Sequence, residues 1–232
     1  MNENPPSLEL WLPSLKKYIY KNIEGMMGLN GFLFNKTDFS FSRKDGKNST
    51  DFFFLFVNQF PVNYRISFLL QFWNNDIKMI KDAFPQKSTI AEFKLRALVF
   101  FMSDLISISK KKDAEAATVP DFVLVTNHDL FNAADSIIKL LQDDAFPLCE
   151  QLSTIDGIDS FFEKNKSWAV NSLNPNNITT EMIVARLAKR RNYEQVFNAI
   201  AEDINKKILA HEMDQETKDI IDKFNEFLLR NY

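Results

Sequence analysis

Acid–base chemistry in this 232-residue chain would have to come from histidine and carboxylate, and histidine occurs only twice. His128 precedes Asp129, with Asp121 and Asp135 close in sequence. An imidazole oriented by a carboxylate is a common general base. His128, Asp129 and Asp121 are therefore the candidate catalytic residues of a hydrolase or nuclease whose groups meet only on folding. The competing assignment makes Asp129 a helix cap and His128 an exposed first-turn residue, because a catalytic pair needs a third partner and the sequence names none. His211 lies in His211-Glu212-Met213-Asp214, a junction between two helices.

Other chemistries find less material. The single Cys149 excludes an internal disulfide and a multi-cysteine zinc site. Its setting, Ala145-Phe146-Pro147-Leu148-Cys149, reads as a buried small residue, since apolar surroundings raise a thiol pKa. There is no HExxH, no EF-hand loop, no GxSxG elbow and no P-loop. Gly25, Gly28 and Gly31 lack both the GxGxxG spacing and a preceding strand. No cofactor and no metal is expected. Asp156 and Asp159 can share a helix face, but read as solvated or first-turn charges favoured by the helix dipole. Lys189-Arg190-Arg191 reads as positive charge at a helix end, and Lys110-Lys111-Lys112 as a solvated loop.

The elements that would hold these residues are legible from periodicity. A helix from about Ser14 to Glu24 carries Leu15, Tyr18, Ile19 and Ile23 on one stripe, and the three glycines are expected to break it. Strands follow at 38–43, 50–59 and 64–73. Asp45-Gly46 forms a hairpin turn, since Gly tolerates positive φ. Asn75 to Phe84 is a short helix stopped by Pro85. Residues 89–108 fit either period, with a strand to about 102 preferred, and Phe122-Val123-Leu124-Val125 is a short buried strand. Thr126-Asn127-His128-Asp129 and Ser153-Thr154-Ile155-Asp156 both have the form of a capping box. Asn171 to Asn177, with Pro175, marks a boundary ahead of helices at 180–189, 193–209 and 215–230.

Phenylalanine supplies the core. The chain has 23 Phe against 3 Trp and 5 Tyr, dense between Phe32 and Phe101. In Phe52-Phe53-Phe54-Leu55-Phe56-Val57 both faces of the strand are apolar, so both must be covered. Such runs are too dense for a base-stacking platform, which needs one wet face. A net charge of −3 offers no basic field for nucleic acid. No apolar run approaches the roughly 20 residues of a membrane span. Glu216, Asp219, Asp222 and Glu226 oppose membrane-surface binding by the last helix. The N-terminus has no secretory pattern, so the cytoplasm is the expected location.

The order helix, Gly31-Phe32, Phe39-x-Phe41-x-Arg43 and a Phe-rich hairpin resembles small bacterial proteins of the domain of unknown function family 4304. The resemblance covers roughly residues 10 to 165. It implies an α+β fold and transfers no catalytic residue, and it fits small proteins found beside toxin genes.

These readings converge on an α+β protein: a mainly antiparallel, Phe-rich sheet packed by helices, over residues 1–170, followed by a helical C-terminal section, 171–232. The expected function is non-enzymatic binding of a protein partner, of immunity or adaptor type, through an aromatic anchor and an acidic surface.

Overall fold

The computed structural model describes residues 8–59, 63–85, 97–101, 122–124 and 127–232. For 8–16, 18, 19, 54–59, 63–67, 101, 122–124, 127–131, 133 and 134 it describes the backbone alone. Among these residues the order is α1 (Leu8–Leu29), β1 (Leu33–Asn35), β2 (Ser40–Asp45), β3 (Asn48–Gln59), β4 (Asn63–Asn74), α2 (Asn75–Ala83), β5 (Leu98–Phe101) and β6 (Phe122–Leu124). Then come α3 (Asn127–Leu140), a π-helical turn (Leu141–Ala145), α4 (Phe146–Gln151), α5 (Ile155–Lys164), α6 (Trp168–Asn171), α7 (Pro175–Ala188), α8 (Tyr193–Leu209) and α9 (Gln215–Asn231). The fold is α+β, with an aromatic-rich, mainly antiparallel sheet and a helical C-terminal section.

The sheet runs β1-β2-β3-β4-β5, with β6 also on β4. β1 pairs antiparallel with β2 in the register Phe34↔Phe41, and β6 with β4 in the register Arg65↔Val123. The Asp45-Gly46 turn forms as its residues predict, with Gly46 at φ 55°. β5 falls inside the segment that fits both periods. Residues 89–96 and 102–108 lie outside the described residues.

Helix α1 departs from expectation, running five residues past Glu24 and through Gly25 and Gly28. Each interior glycine costs roughly 1 kcal/mol against alanine; the extension also places Met27, like Ile23, fully in the core. The stop is Gly31. Its N–H bonds to the Gly28 carbonyl, and the Phe32 N–H reaches back to Met27. This is the Schellman arrangement, and it requires the positive φ of 78° that Gly31 adopts.

The chain divides into two compact units. The first comprises Met1–Lys44, Thr50–Gln71 and Phe100–Leu148. Its core is built on Phe52, which meets Phe32 edge-on at 5.4 Å, Phe68 at 5.9 Å and Phe146 at 6.5 Å between ring centroids. These separations are those of favourable aromatic pairs. Burying each ring contributes roughly 1.5–3 kcal/mol.

The second unit comprises Asp45–Ser49, Phe72–Val99 and Cys149–Tyr232. Its centre is α7, buried at every position from Pro175 to Ala185. A helix enclosed on all sides is normally apolar all round, yet Asn176, Asn177, Thr179, Thr180 and Glu181 are among its buried residues. Asn177 exchanges two hydrogen bonds with the Val99 backbone, and Lys81 Nζ donates to the Asn176 carbonyl and to Thr180 Oγ1, both at 2.8 Å. The polar stretch around Pro175 is thus the start of a buried helix, with Asn174 as its cap and Pro175 in its first turn.

Caps set the last helices. Asp214 Oδ1 accepts from the Thr217 N–H at 2.7 Å, and these bonds hold its carboxyl below the usual range. Asp214→Ala is expected to cost about 1 kcal/mol in urea denaturation at pH 7. With a depressed folded-state pKa, that contribution is present above the ordinary aspartate range and fades as pH falls through the depressed value. Among the described residues, no helix is long and apolar enough to cross a membrane.

Candidate functional site

The strongest concentration of charge inside the second unit joins α5, α7 and the turn between α7 and α8. In α5, Ile155, Ile158 and Phe162 mark the inward stripe at helical spacing, and Asp159 occupies one of its slots. In α7 the same spacing, Ile178, Met182 and Ala185, carries Glu181. Both carboxylates are therefore drawn inward with their apolar neighbours. Asp159 is 0% exposed and Glu181 8%.

Arg191 answers both. Its Nη2 and Nε donate to Asp159 Oδ1 at 2.5 and 2.8 Å, and Nη1 donates to Glu181 Oε1 at 3.2 Å. The neighbouring Arg190 reaches the same helix by another route, through the Asp156 carbonyl at 3.1 Å, the Ser160 hydroxyl and Glu163 at 3.6 Å. Two consecutive arginines thus pin the α7–α8 turn to α5. Lys189 makes the bend possible by adopting the left-handed conformation at φ 54°.

One guanidinium stands between two buried carboxylates, and that count sets the electrostatics. Burial pushes the Glu181 carboxyl up to about 7; Arg191 pulls it down, and Asp159 and Asp203 add to the rise. For Arg191, burial opposes the charge, while the hydrogen bonds and attraction of Asp159 and then Glu181 outweigh it and raise its pKa. Asp159 Oδ2 has no hydrogen-bond partner among the described residues.

Glu181 and Arg191 open onto a cleft of about 610 Å³ formed by the end of α5, the α5–α6 turn, α7 and α8. Its wall mixes apolar Phe162, Val170 and Ile200 with acidic Glu163, Glu202 and Asp203 and basic Lys166 and Arg190. Lys206 pairs with Glu202 at 2.9 Å and Asp203 at 3.2 Å. Ser167, also on the wall, is held at φ 63°. A carboxyl poised near neutrality, in a half-apolar concavity, can exchange a proton or accept a hydrogen bond from a cation.

The sequence candidates lie elsewhere. His128 and Asp129 are in the first turn of α3, where the backbone alone is described, and Asp121 is outside the described residues. Asp135 is exposed on α3. His211 is exposed in the α8–α9 turn at φ 57°, its N–H bonded to the Ile208 carbonyl. Cys149 is fully buried.

Two expectations are corrected. Asp159 is not a solvated charge beside Asp156, because the apolar stripe of α5 carries it inward. Arg191 is not simply a dipole-facing charge, because it bridges two helices. A signal for the carboxylates was present: an acidic residue filling an apolar slot of a helical stripe. Nothing in the sequence names Arg191 as their partner. Among the described residues, no group of three or more His, Cys, Asp or Glu is placed to hold a metal ion. No family model, curated protein or solved structure matches this chain.

Proposed function

We propose that the protein is a non-enzymatic binding protein of the interaction or adaptor kind, receiving a cationic side chain of a basic protein partner in the α5–α7–α8 cleft. The observation behind this reading is the charge count at the cleft floor, where Glu181 and Arg191 line the cavity, together with Asp159, buried behind them. Asp159 and Glu181 share one guanidinium, so full ionisation leaves one buried negative charge uncompensated. Such a charge is costly, and Glu181 relieves it by holding a proton up to about pH 7. A lysine or arginine from a partner supplies the missing charge instead, and expels that proton.

Binding of a basic partner is therefore expected to strengthen from pH 6 to pH 8. Glu181→Gln should weaken it about tenfold or more at pH 8 and abolish its pH dependence. Affinity purification of the wild-type and Glu181→Gln chains from the native host, read by mass spectrometry, tests this directly. A basic protein retained by the first and lost by the second supports the reading; equal retention at every pH removes it. The folding equilibrium carries the same signature. With a folded pKa above the ordinary 4.5, Glu181 binds its proton preferentially in the folded state, so its contribution lowers stability as pH rises from about 4.5 to 7. Glu181→Gln flattens that dependence.

A hydrolase reading draws on the same carboxyl, since about 7 suits a general acid or base. Turnover that disappears in Glu181→Gln, with partner retention unchanged, would replace binding by catalysis.

A further inference from the structure

A second concavity, of about 740 Å³, lies at the corner where α7 ends, α8 begins and α9 passes alongside. Its composition differs from the first. Arg186 and Lys189 come from the end of α7, Tyr193 and Phe197 from the start of α8, and Asn225 and Tyr232 from α9 and its end. Glu194 is the one acidic side chain on this wall. Arg191 also borders it, but its guanidinium is committed to Asp159 and Glu181. The charge on offer is therefore that of Arg186 and Lys189, in a chain whose net charge is −3.

Arg186 is placed as a ligand-facing group rather than a structural one. Its guanidinium lies over the Tyr193 ring, 5.5 Å from the centroid. Its Nε is buried and has no hydrogen-bond partner among the described residues. That Nε–H is closed off from the concavity, so an anion is met by the Nη groups, which the ring attracts electrostatically without accepting from their N–H. The platform beneath it is rigid: the Tyr193 hydroxyl donates to Asn225 Oδ1 at 2.7 Å. Burial pushes the Tyr193 hydroxyl up to about 12, with Arg186 pulling the other way, so it remains a neutral donor. Lys189 reaches the rim from a left-handed residue, φ 54°, a conformation that costs a non-glycine residue free energy. The N-terminus of α8 opens at the same corner and adds positive potential there.

We propose that this corner is a binding site for a small organic anion that joins a phosphate or carboxylate to an aromatic ring. The anionic group pairs with Arg186 and Lys189, and the ring packs among Phe197, Leu229 and Tyr232. Neither half is sufficient alone. Two cations without a wall would hold any anion weakly, and an apolar wall without them would not select charge. Bidentate pairing to a guanidinium supplies directionality that a lysine alone lacks. This site is independent of the cation-binding cleft across Arg191, so failure of one reading leaves the other standing.

Three probes separate the contributions: phenyl phosphate carries both groups, inorganic phosphate lacks the ring, and phenol lacks the charge. Titrations of the full chain, followed by amide chemical shifts and calorimetry, are expected to give phenyl phosphate an affinity at least tenfold above either of the others. The shifts should centre on residues 186–198 and 225–232. Arg186→Gln is expected to weaken phenyl phosphate at least tenfold and leave phenol unchanged. Lys189→Asn removes the second charge at an exposed residue and keeps a side chain that tolerates the left-handed conformation. It should weaken phenyl phosphate several-fold with an unchanged spectrum elsewhere, so that misfolding of the Arg186 variant cannot be mistaken for loss of the site. Equal weak binding of all three probes, or phenyl phosphate binding unaffected by Lys189→Asn in the folded protein, overturns the proposal.

Discussion

Arg191→Met is expected to lose about 3–5 kcal/mol of stability at pH 8, the cost typical of breaking a buried ion pair from one side. The substitution preserves much of the side-chain volume, so the loss reports charge more than packing. It strands Asp159, wholly enclosed, beside Glu181. Lowering the pH protonates Glu181, whose carboxyl is pushed up to about 7 even with Arg191 present, and removes its repulsion of Asp159, so the deficit relative to wild type should shrink between pH 8 and pH 5. Urea denaturation at the two pH values measures this. A deficit of equal size at both would show that the guanidinium acts as a space-filler. Arg191→Lys supplies the geometric control. It keeps the charge but not the planar fork that touches both acids, and should recover only part of the loss. Adding Glu181→Gln to Arg191→Met removes the like-charge repulsion, and the double variant is expected to be more stable at pH 8 than Arg191→Met alone. That non-additivity is the mark of groups sharing one network.

Gly157→Ala should destabilise the protein by about 3 kcal/mol or more, in the range of severe overpacking. Helix propensity predicts the opposite sign, because alanine is favoured over glycine in a helix by roughly 1 kcal/mol. The geometry overrides it. A Cβ on Gly157 would lie 1.8 Å from the Gln151 carbonyl oxygen and 3.0 Å from the Gln151 carbonyl carbon, both backbone atoms that cannot rotate away. The Gly157 N–H is also tied in place, donating to Thr154 Oγ1, the cap of α5. Relief of the clash therefore moves the start of α5, and Asp159 lies two residues further on. Gly25→Ala is the matched comparison, since a Cβ there meets nothing within 4 Å and the residue is inside α1. It should stabilise by about 0.5–1 kcal/mol. If Gly157→Ala behaved like Gly25→Ala in thermal or urea unfolding, the tight α4–α5 approach would be wrong.

The contrast between these glycines shows where sequence reasoning reaches its limit. Gly25 and Gly28 have the composition of a break and lie within a helix, because core burial at Ile23 and Met27 offsets a local preference worth about 1 kcal/mol per residue. Gly31 does end α1, and its role was visible only in part, since the Schellman bonds also involve the Phe32 N–H and the path the chain takes beyond it. Asn171–Asn177 has the composition of a loop, yet Pro175 begins the most enclosed helix of its unit. There the Asn177 side chain pairs with the Val99 backbone and the Asn176 carbonyl accepts from Lys81, both partners far along the chain. No local pattern can announce such partners.

What the amino-acid sequence determined by itself is the set of properties that depend on near neighbours. Alternating and dense aromatic runs specify the strands and the aromatic core, Asp45-Gly46 specifies a hairpin turn, and Tyr193–Leu209 and Gln215–Asn231 carry their caps and stripes with them. These features are set by periods of 2 and 3.6 residues and by turn chemistry, all contained within a few positions. The candidate sites belong to the tertiary structure. Asp159, Glu181 and Arg191 are separated by up to 32 residues, and Arg186, Tyr193 and Asn225 are likewise spread over three helices. A buried charge acquires its pKa, and a cleft its sign, from the groups packed around it, and that neighbourhood exists only once the helices have come together.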